Sequence, residues 1–465
     1  MAENRTWRLS LRLDLSCYAD NHISKARGRF FMGSGQELWK KAKRLIPGGN
    51  MLLSKRPEMF LPEQWPAYFS KAKGARVWDL DGRELIDMTI MGVGANTLGY
   101  GDDEVDAAVI ATVGRGNMSS LNAPEEVALA ERLVELHPWA DMARFARTGG
   151  EANAVAIRIA RAASGRDGVA ICGYHGWHDW YLASNLGESD ELAGHLLPGL
   201  DPTGVPKNLR GTVHPFSFND LAALKALIAT GKIGVIMMEV ARTFDPDPAF
   251  LRSVRELATA NGIVLIFDEC TSGFRQSFGG LHKLYGVDPD MAVFGKALGN
   301  GYAVTAVIGR RDVMEAAQNS FISSTFWTER IGSVAGVATL DVMEKTRSWE
   351  VITAIGRDIT RRWQELATRH GLSITTSGLP ALTGFAFKGP NAAAYKTLIS
   401  QEMLDKGYLA ATSVYTAVSH TPDIVDGYFD ALDPVFAKIA ECEAGRDVGQ
   451  LLRGPICHAG FKRLN

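Results

Sequence analysis

An apolar run, Met291-Ala-Val-Phe, delivers Gly295 and then Lys296. Read as a buried strand, it carries an amine to a place poor in water. Desolvation there strips a lysine of its charge and makes it the nucleophile that Schiff-base chemistry requires. Gly295, Gly299 and Gly301 around it leave room for a flat ring to come close. A second run, Gly262-Ile-Val-Leu-Ile-Phe, closes on Asp268 and Glu269. Ligands gather at the carboxyl ends of parallel strands, and an acid buried there needs a cation to face. A protonated pyridine nitrogen would serve. Taken singly, each feature has a plainer reading: a lysine after a strand is commonly at the surface, and an aspartate there often caps the next segment.

Two further stretches add to these. Thr148-Gly149-Gly150-Glu151 opens a helical pattern with Ala152, Val155, Ala156, Ile159 and Ala163 on one face. The amides of Gly149 and Gly150, at the positive end of the helix, make an anion site suited to phosphate, although a glycine pair alone more often only turns the chain. Cys172-Gly-Tyr174-His175-Gly-Trp-His178 places rings where Tyr174 or His175 can lie on an aromatic cofactor. The spacing of Cys172, His175 and His178 also suits zinc. No further cluster of cysteine and histidine completes four ligands, so no metal is expected.

These side chains need a scaffold that gathers strand ends. Apolar runs over 168–173, 234–238, 263–267 and 291–294 alternate with helix-length segments, which predicts an α/β fold with a mostly parallel sheet covered on both faces. Asp81-Gly82 between Ala75-Arg-Val-Trp-Asp-Leu and Arg83-Glu-Leu-Ile-Asp-Met predicts a β-hairpin. Ser34 and Glu37 have capping-box spacing ahead of Leu38, Ala42 and Leu45, and Pro47-Gly48-Gly49 stops that helix. From about Ser348 the pattern becomes a smaller α+β domain that includes a strand over 382–387.

The bulk composition excludes other classes. The 465 residues carry 50 Lys and Arg against 52 Asp and Glu, with no long run of one sign, so nucleic acid and anionic membranes are not expected partners. Five scattered cysteines argue against a disulfide framework and for a reducing compartment. Arg5, Arg8, Arg12 and Asp14 interrupt any signal-peptide core, and a cytoplasmic enzyme is expected.

Taken together, the motifs resemble the class III aminotransferases, a fold-type I family dependent on pyridoxal 5′-phosphate (PLP). The branch that includes glutamate-1-semialdehyde aminomutase is the nearest. The resemblance spans about residues 34–440 and rests on Ala72 to Gly82, Thr148-Gly-Gly-Glu-Ala152, Tyr174-His-Gly176, Phe267-Asp-Glu269 with Gly273-Phe-Arg275, and Phe294-Gly-Lys296. It implies that Lys296 forms the Schiff base with PLP and shuttles protons, that Asp268 pairs with the pyridine nitrogen, and that Gly149 and Gly150 bind the phosphate. Tyr174 would stack on the ring beside His175, and Glu239 would lie near the cofactor. Thr325 would reach the phosphate of the neighbouring subunit's cofactor, which implies a homodimer with shared sites. The implied organisation is an arm over 1–33, a segment over 34–90 packing with the small domain, a large PLP-binding domain with a seven-stranded-type sheet over 91–345, and a small domain over 346–465.

Departures from the family pattern fall mostly on the substrate side. Thr148-Gly149-Gly150 stands where the family has Ser-Gly-Thr or Ser-Gly-Ser, so one hydroxyl contact to phosphate is missing, and Thr148 or water would have to replace it. Cys270 stands where a branched aliphatic packs on the ring, and no tryptophan accompanies Gly92 and Val93. The reading is therefore a transaminase moving an amino group between a small-molecule donor and a keto or aldehyde acceptor, with a keto sugar as one candidate. Arg242 or Arg275 would hold a carboxylate or phosphate. The rivals are an aminomutase and a PLP-fold protein that binds without turnover. A dinucleotide-binding reading of Gly92-Val-Gly94-Ala-Asn-Thr97 lacks the third glycine.

Overall fold

The computed structural model describes residues 33–187, 200–241 and 247–460. The expected arm and Arg242 lie outside the described residues, apart from Gly33. Strict alternation along four strands builds the centre of the molecule. Every residue of Gly168–Cys172, Ile233–Glu239, Val264–Asp268 and Met291–Phe294 is buried, as strands covered on both faces must be. Successive side chains point to opposite faces. Val169, Ile171, Val235, Met237, Ile266 and Val293 pack with Ala152, Ala156 and Ile159 of the helix Gly149–Ser164. Ala170, Ile236, Met238, Leu265 and Phe267 pack on the other side with Phe250, Leu251 and Val254 of the helix Pro248–Ala260.

The resulting sheet has seven strands, in the order Met142–Ala146, Thr305–Gly309, Met291–Phe294, Val264–Asp268, Ile233–Glu239, Gly168–Cys172, Val213–Pro215. Only Thr305–Gly309 runs against its two neighbours among these described strands; the other pairings are parallel. The mostly parallel α/β sheet is thus present. The edge strand Met142–Ala146, which feeds directly into Thr148, is one that the sequence reading missed, because it is only half-buried and lacks an apolar run.

The hairpin at Gly82 forms, with Trp78 opposite Glu84 and φ at Gly82 of +81°. It belongs to a four-stranded sheet whose last member, Tyr408–Ala410, pairs in parallel with Glu84–Met88. Met88 consequently packs in one core with Trp363, Tyr428 and Phe436. One local reading is corrected. Gly33, not Ser34, is the N-cap of the helix Ser34–Leu45, and it makes no side-chain cap. The Ser34 amide and hydroxyl instead donate to the Asp81 carboxylate, the amide at 3.0 Å, because an ionised acceptor makes a stronger bond than a neutral one.

Beside the sheet lies a histidine whose protonation the fold opposes. His137 is fully buried; its Nδ1–H donates to the Leu133 carbonyl at 2.8 Å, and its Nε2 accepts from the Gly280 amide at 2.9 Å. A second proton would meet an N–H. Burial pushes its pKa down to about 4. The folded protein therefore holds this ring neutral where the unfolded chain protonates it. Its stabilising contribution is complete above pH ~6.5 and is lost as the pH falls towards about 4, a change of ~3 kcal/mol. Denaturant midpoints at pH 7 and pH 4.5 should show this loss in the parent and a flatter dependence in His137→Gln; equal slopes in the two proteins would refute it.

Candidate active site

Three neighbouring strands bring their carboxyl ends level. Glu239 is in register with Asp268, and Asp268 with Val293, so Lys296 follows two residues beyond the end of its strand at Phe294. Asp268 is 3% exposed. Its Oδ2 accepts from His175 Nδ1 at 2.8 Å and from Asn153 Nδ2 at 2.8 Å, and its Oδ1 accepts from the Cys270 amide at 3.1 Å. Burial alone would raise the carboxyl's pKa, but the bonds and charge of His175, with the Cys270 and Asn153 donors, bring the net shift below the ordinary carboxylate range. Asp268 is thus an ionised acid held rigidly in a dry place. Its neighbour Glu269 faces elsewhere and is held by His282, whose Nδ1 and amide lie 2.8 Å and 2.9 Å away, and by the Ser272 hydroxyl. Of the two carboxylates ending that strand, only Asp268 reaches the His175 loop.

Lys296 is half-buried, and its Nζ donates to Thr271 Oγ1 at 2.7 Å. Its φ of +43° is left-handed, a conformation that costs a non-glycine residue on the order of 1–3 kcal/mol and that gathers at functional sites. Cys270 is the meeting point of the pieces. A Cβ on Gly149 would lie 3.4 Å from its Sγ, and one on Gly295 would lie 3.3 Å from it. The start of the helix Gly149–Ser164, the turn after Asp268 and the residue before Lys296 therefore meet at Cys270.

At the helix start, Thr148 caps the Glu151 amide at 3.4 Å, while Glu151 Oε2 accepts from the Thr148 and Arg147 amides. The Ala152 amide goes to the Thr148 carbonyl. Of the first four amides, those of Gly149 and Gly150 remain for a ligand. Thr148, suggested as a replacement phosphate contact, accepts the Glu151 amide at its hydroxyl oxygen, a bond that leaves its O–H to donate. His175 is fully buried, with Nε2 unbonded among the described residues. The Tyr174 amide donates to Glu239 Oε2 at 3.0 Å, and its ring stands edge-on to Tyr181.

Thr325 is not brought into this space. It is exposed, at the start of the short turn Thr325–Thr328. Arg147 ties that turn to the helix start by donating to the carbonyls of Trp327 and Glu329, at 3.0 Å and 2.8 Å. A groove of about 400 Å³ lined by Glu126, Val127, Arg144, Ile322 and Trp327 lies alongside, and Phe321, Phe326 and Leu121 are exposed. Arg275, read as a loop arginine facing substrate, is buried: its Nη2 donates to the Gly94 carbonyl at 2.6 Å and its Nε to that of Thr271, and burial lowers its pKa to about 10. It fastens the turn that carries Thr271. Asn153 and Thr271 escaped the sequence reading. A polar residue within the apolar face of the helix Gly149–Ser164 was the available signal for Asn153; nothing local marks Thr271.

The chain resembles known proteins in sequence and fold. The family model for class-III aminotransferases matches residues 62–425. The chain is 37% identical over 377 residues to a 3-aminobutyryl-CoA aminotransferase of Cloacimonas acidaminovorans, covering 79% of this chain and 86% of that protein. It is 29% identical over 377 residues to a 2'-deamino-2'-hydroxyneamine transaminase of Streptomyces kanamyceticus, covering 79% and 91%. Among solved structures, the PLP-containing FumI protein of a Sphingopyxis species matches with a TM-score of 0.78 at 26% identity, over 90% of this chain and 99% of that one.

Proposed function

Because this chain belongs to the class-III aminotransferase family and is a PLP-dependent transaminase, we propose that Lys296, Asp268, Tyr174, His175, Glu239 and the amides of Gly149 and Gly150 form its cofactor site. The observation that carries this is the convergence on Cys270 of the helix start at Gly149, the turn after Asp268 and Gly295 before Lys296. The groups around it suit PLP: two amides for the phosphate, an ionised Asp268 for a protonated ring nitrogen, and an amine for the aldehyde. Bound there, the cofactor supplies the electron sink for the charge left when the substrate carbon gives up a proton.

The remaining work falls to the chain. Lys296 Nζ holds the cofactor and moves the proton to and from the substrate carbon. Thr271 Oγ1 keeps that amine aimed between transfers, and Arg275 keeps Thr271 in place. Asp268, fixed by His175 and Asn153, keeps the ring nitrogen protonated. Glu239 pins the loop that presents Tyr174 to the ring. The test is borohydride reduction of the purified protein followed by peptide mapping: the adduct is expected on Lys296, and an adduct on another lysine would sink the assignment.

The acceptor we propose has a carbonyl away from any carboxylate, as in a keto sugar or a β-keto acyl thioester. The names of the two relatives, one acting on an aminoacyl thioester and the other on an aminoglycoside, support it. Release of a keto product from a separate amino donor is expected, whereas donor-free turnover to completion would make the protein an aminomutase. We further propose a homodimer in which Thr325 reaches the partner's phosphate, supported by the exposed Phe321 and Phe326 on either side of it and the adjoining groove. Phe326→Asp should shift the mass measured by light scattering from two chains towards one; an unchanged mass would count against this interface. Pairing of Tyr408–Ala410 with Glu84–Met88 supports grouping residues 34–90 with the small domain from 346 onward. The four cysteines described as free thiols support a reducing cytoplasm. No helix among the described residues is long and apolar enough to cross a membrane.

A further inference from the structure

The turn that carries Lys296 is closed by an asparagine. Lys296–Gly299 is a single helical turn, and Asn300 ends it in the left-handed region, with φ +42° and ψ +48°, a conformation that asparagine adopts more readily than most side chains. Asn300 is 4% exposed, and both ends of its amide are used. Oδ1 accepts from the Leu98 amide at 3.1 Å, and Nδ2 donates to the Gly99 carbonyl at 3.0 Å, partners 202 and 201 positions back along the chain. The next residue comes close to the same segment. Gly301 has φ +101°, and a Cβ there would lie 2.5 Å from Asn96 Oδ1.

The segment gripped in this way begins with backbone that the chain would not hold by itself. Met91, Gly92, Val93 and Gly94 are all left-handed, with φ of +40°, +65°, +64° and +74°, and two of them carry a Cβ. Such backbone is costly for L residues and persists only where its surroundings over-determine it. Asn96 Nδ2 donates to the Met91 carbonyl at 3.3 Å. Arg275 Nη2 donates to the Gly94 carbonyl at 2.6 Å, and a Cβ at Gly94 would crowd that nitrogen at 2.8 Å.

Followed round, these bonds close on the lysine. From its backbone turn they run through Asn300 to Leu98 and Gly99, then back along the chain to Gly94 and across to Arg275. Arg275 Nε donates to the Thr271 carbonyl, and Lys296 Nζ donates to Thr271 Oγ1 at 2.7 Å. The amine and the turn that bears it are therefore tied to opposite ends of residues 94–99. We propose that Asn300 is a positioning residue for Lys296: its hold on Leu98 and Gly99 fixes the lysine's turn relative to the Thr271 hydroxyl that aims the amine. The proposal rests on the assignment of Lys296 as the lysine that holds the cofactor. Misplacing reacting atoms by about 1 Å can cost on the order of 100-fold in rate, so loss of this hold should appear in the lysine's chemistry and not in stability alone.

The test times the covalent step, in which the amine nitrogen bonds to the aldehyde carbon of PLP and water leaves. PLP is added to cofactor-free protein, samples are quenched with borohydride at intervals, and the Lys296 adduct is measured by peptide mass. Asn300→Gly keeps the left-handed backbone and removes both bonds; it should form the adduct roughly 10- to 100-fold more slowly than the parent. PLP affinity by equilibrium dialysis in the Lys296→Ala background should be the same with and without Asn300→Gly. Asn300→Asp keeps the bond from Leu98 and loses the one to Gly99, so it should fall between, and it serves where the glycine variant does not fold. Thr271→Val should slow the same step, and adding Asn300→Gly to it should slow it little further, because both act on one amine. Adduct formation at the parent's rate, or losses that multiply in the double variant, would overturn the role of Asn300. So would a matching loss of PLP affinity in the Lys296→Ala background, which marks a general defect of the site. Absence of the adduct from the parent would take down the assignment of Lys296, and the role of Asn300 with it.

Discussion

Lys296→Ala is expected to lower the rate of amino transfer by roughly 10⁴-fold or more, because one substitution removes both the covalent hold on the cofactor and the group that moves the substrate proton. A factor of that size corresponds to ~5.5 kcal/mol of barrier. The amine is lost with its methylene stem, and Thr271 Oγ1 loses that donor. Thr271, Arg275 and the left-handed backbone at position 296 do not depend on it, and alanine relieves no buried charge, so the fold should survive. Single-turnover kinetics with amino donor and cofactor in excess give the measurement. The protein should still take up PLP through its phosphate and ring contacts while giving no lysine adduct on reduction. Parent-like turnover would mean that another amine does the chemistry.

Asp268→Asn ranks second, with an expected loss on the order of 10²–10³-fold in the proton-transfer step. The amide fills the same volume, but its single oxygen can accept either from His175 Nδ1 and Asn153 Nδ2 or from the Cys270 amide, not from both sides, so the variant removes the charge and one acceptor while keeping the shape. Without the negative charge the ring nitrogen gives up its proton more readily, and the electron sink weakens. A kinetic isotope effect on the substrate carbon–hydrogen bond should rise in the variant as that step becomes limiting. An unchanged rate would show that the acid has no part in the chemistry. The pH dependence is signed as well. Burial favours the neutral acid, yet His175, Cys270 and Asn153 outweigh it and leave the folded pKa below its ordinary value. Asp268 therefore stabilises the fold fully above the unfolded carboxylate pKa of about 3.9, and the contribution fades as the pH drops through the lower folded value. The parent's activity should show no acid limb from this group above about pH 4, since the carboxylate is already ionised there.

Much of the site was legible because its residues sit where a local pattern ends. An apolar run specifies a buried strand through neighbours two positions apart, and the residue that closes the run lies at the sheet's carboxyl edge whatever the rest of the chain does. Lys296 and Asp268 were readable as strand-end residues in this way, and Gly149 and Gly150 by the opening of an amphipathic helix, whereas Glu239 entered only through the family resemblance. Where the sequence reading failed, local chemistry had more than one outlet. Ser34 has capping-box spacing with Glu37, but Asp81, 47 residues along the chain, competes for it and wins. Arg275 reads as a holder of a substrate carboxylate or phosphate until carbonyls 181 and 4 residues away take up its Nη2 and Nε.

The amino-acid order alone thus settled the α/β class, the strand ends and the residue types that stand there, since these depend on short-range periodicity. Tertiary structure alone decided that Glu269 is held apart by His282 while Asp268 meets His175, that Asn153 braces Asp268 from 115 positions away, and that Thr271 holds the lysine amine. Each of these is a contact between distant segments, and no local pattern encodes the distance between two parts of a chain that meet only when the sheet has assembled.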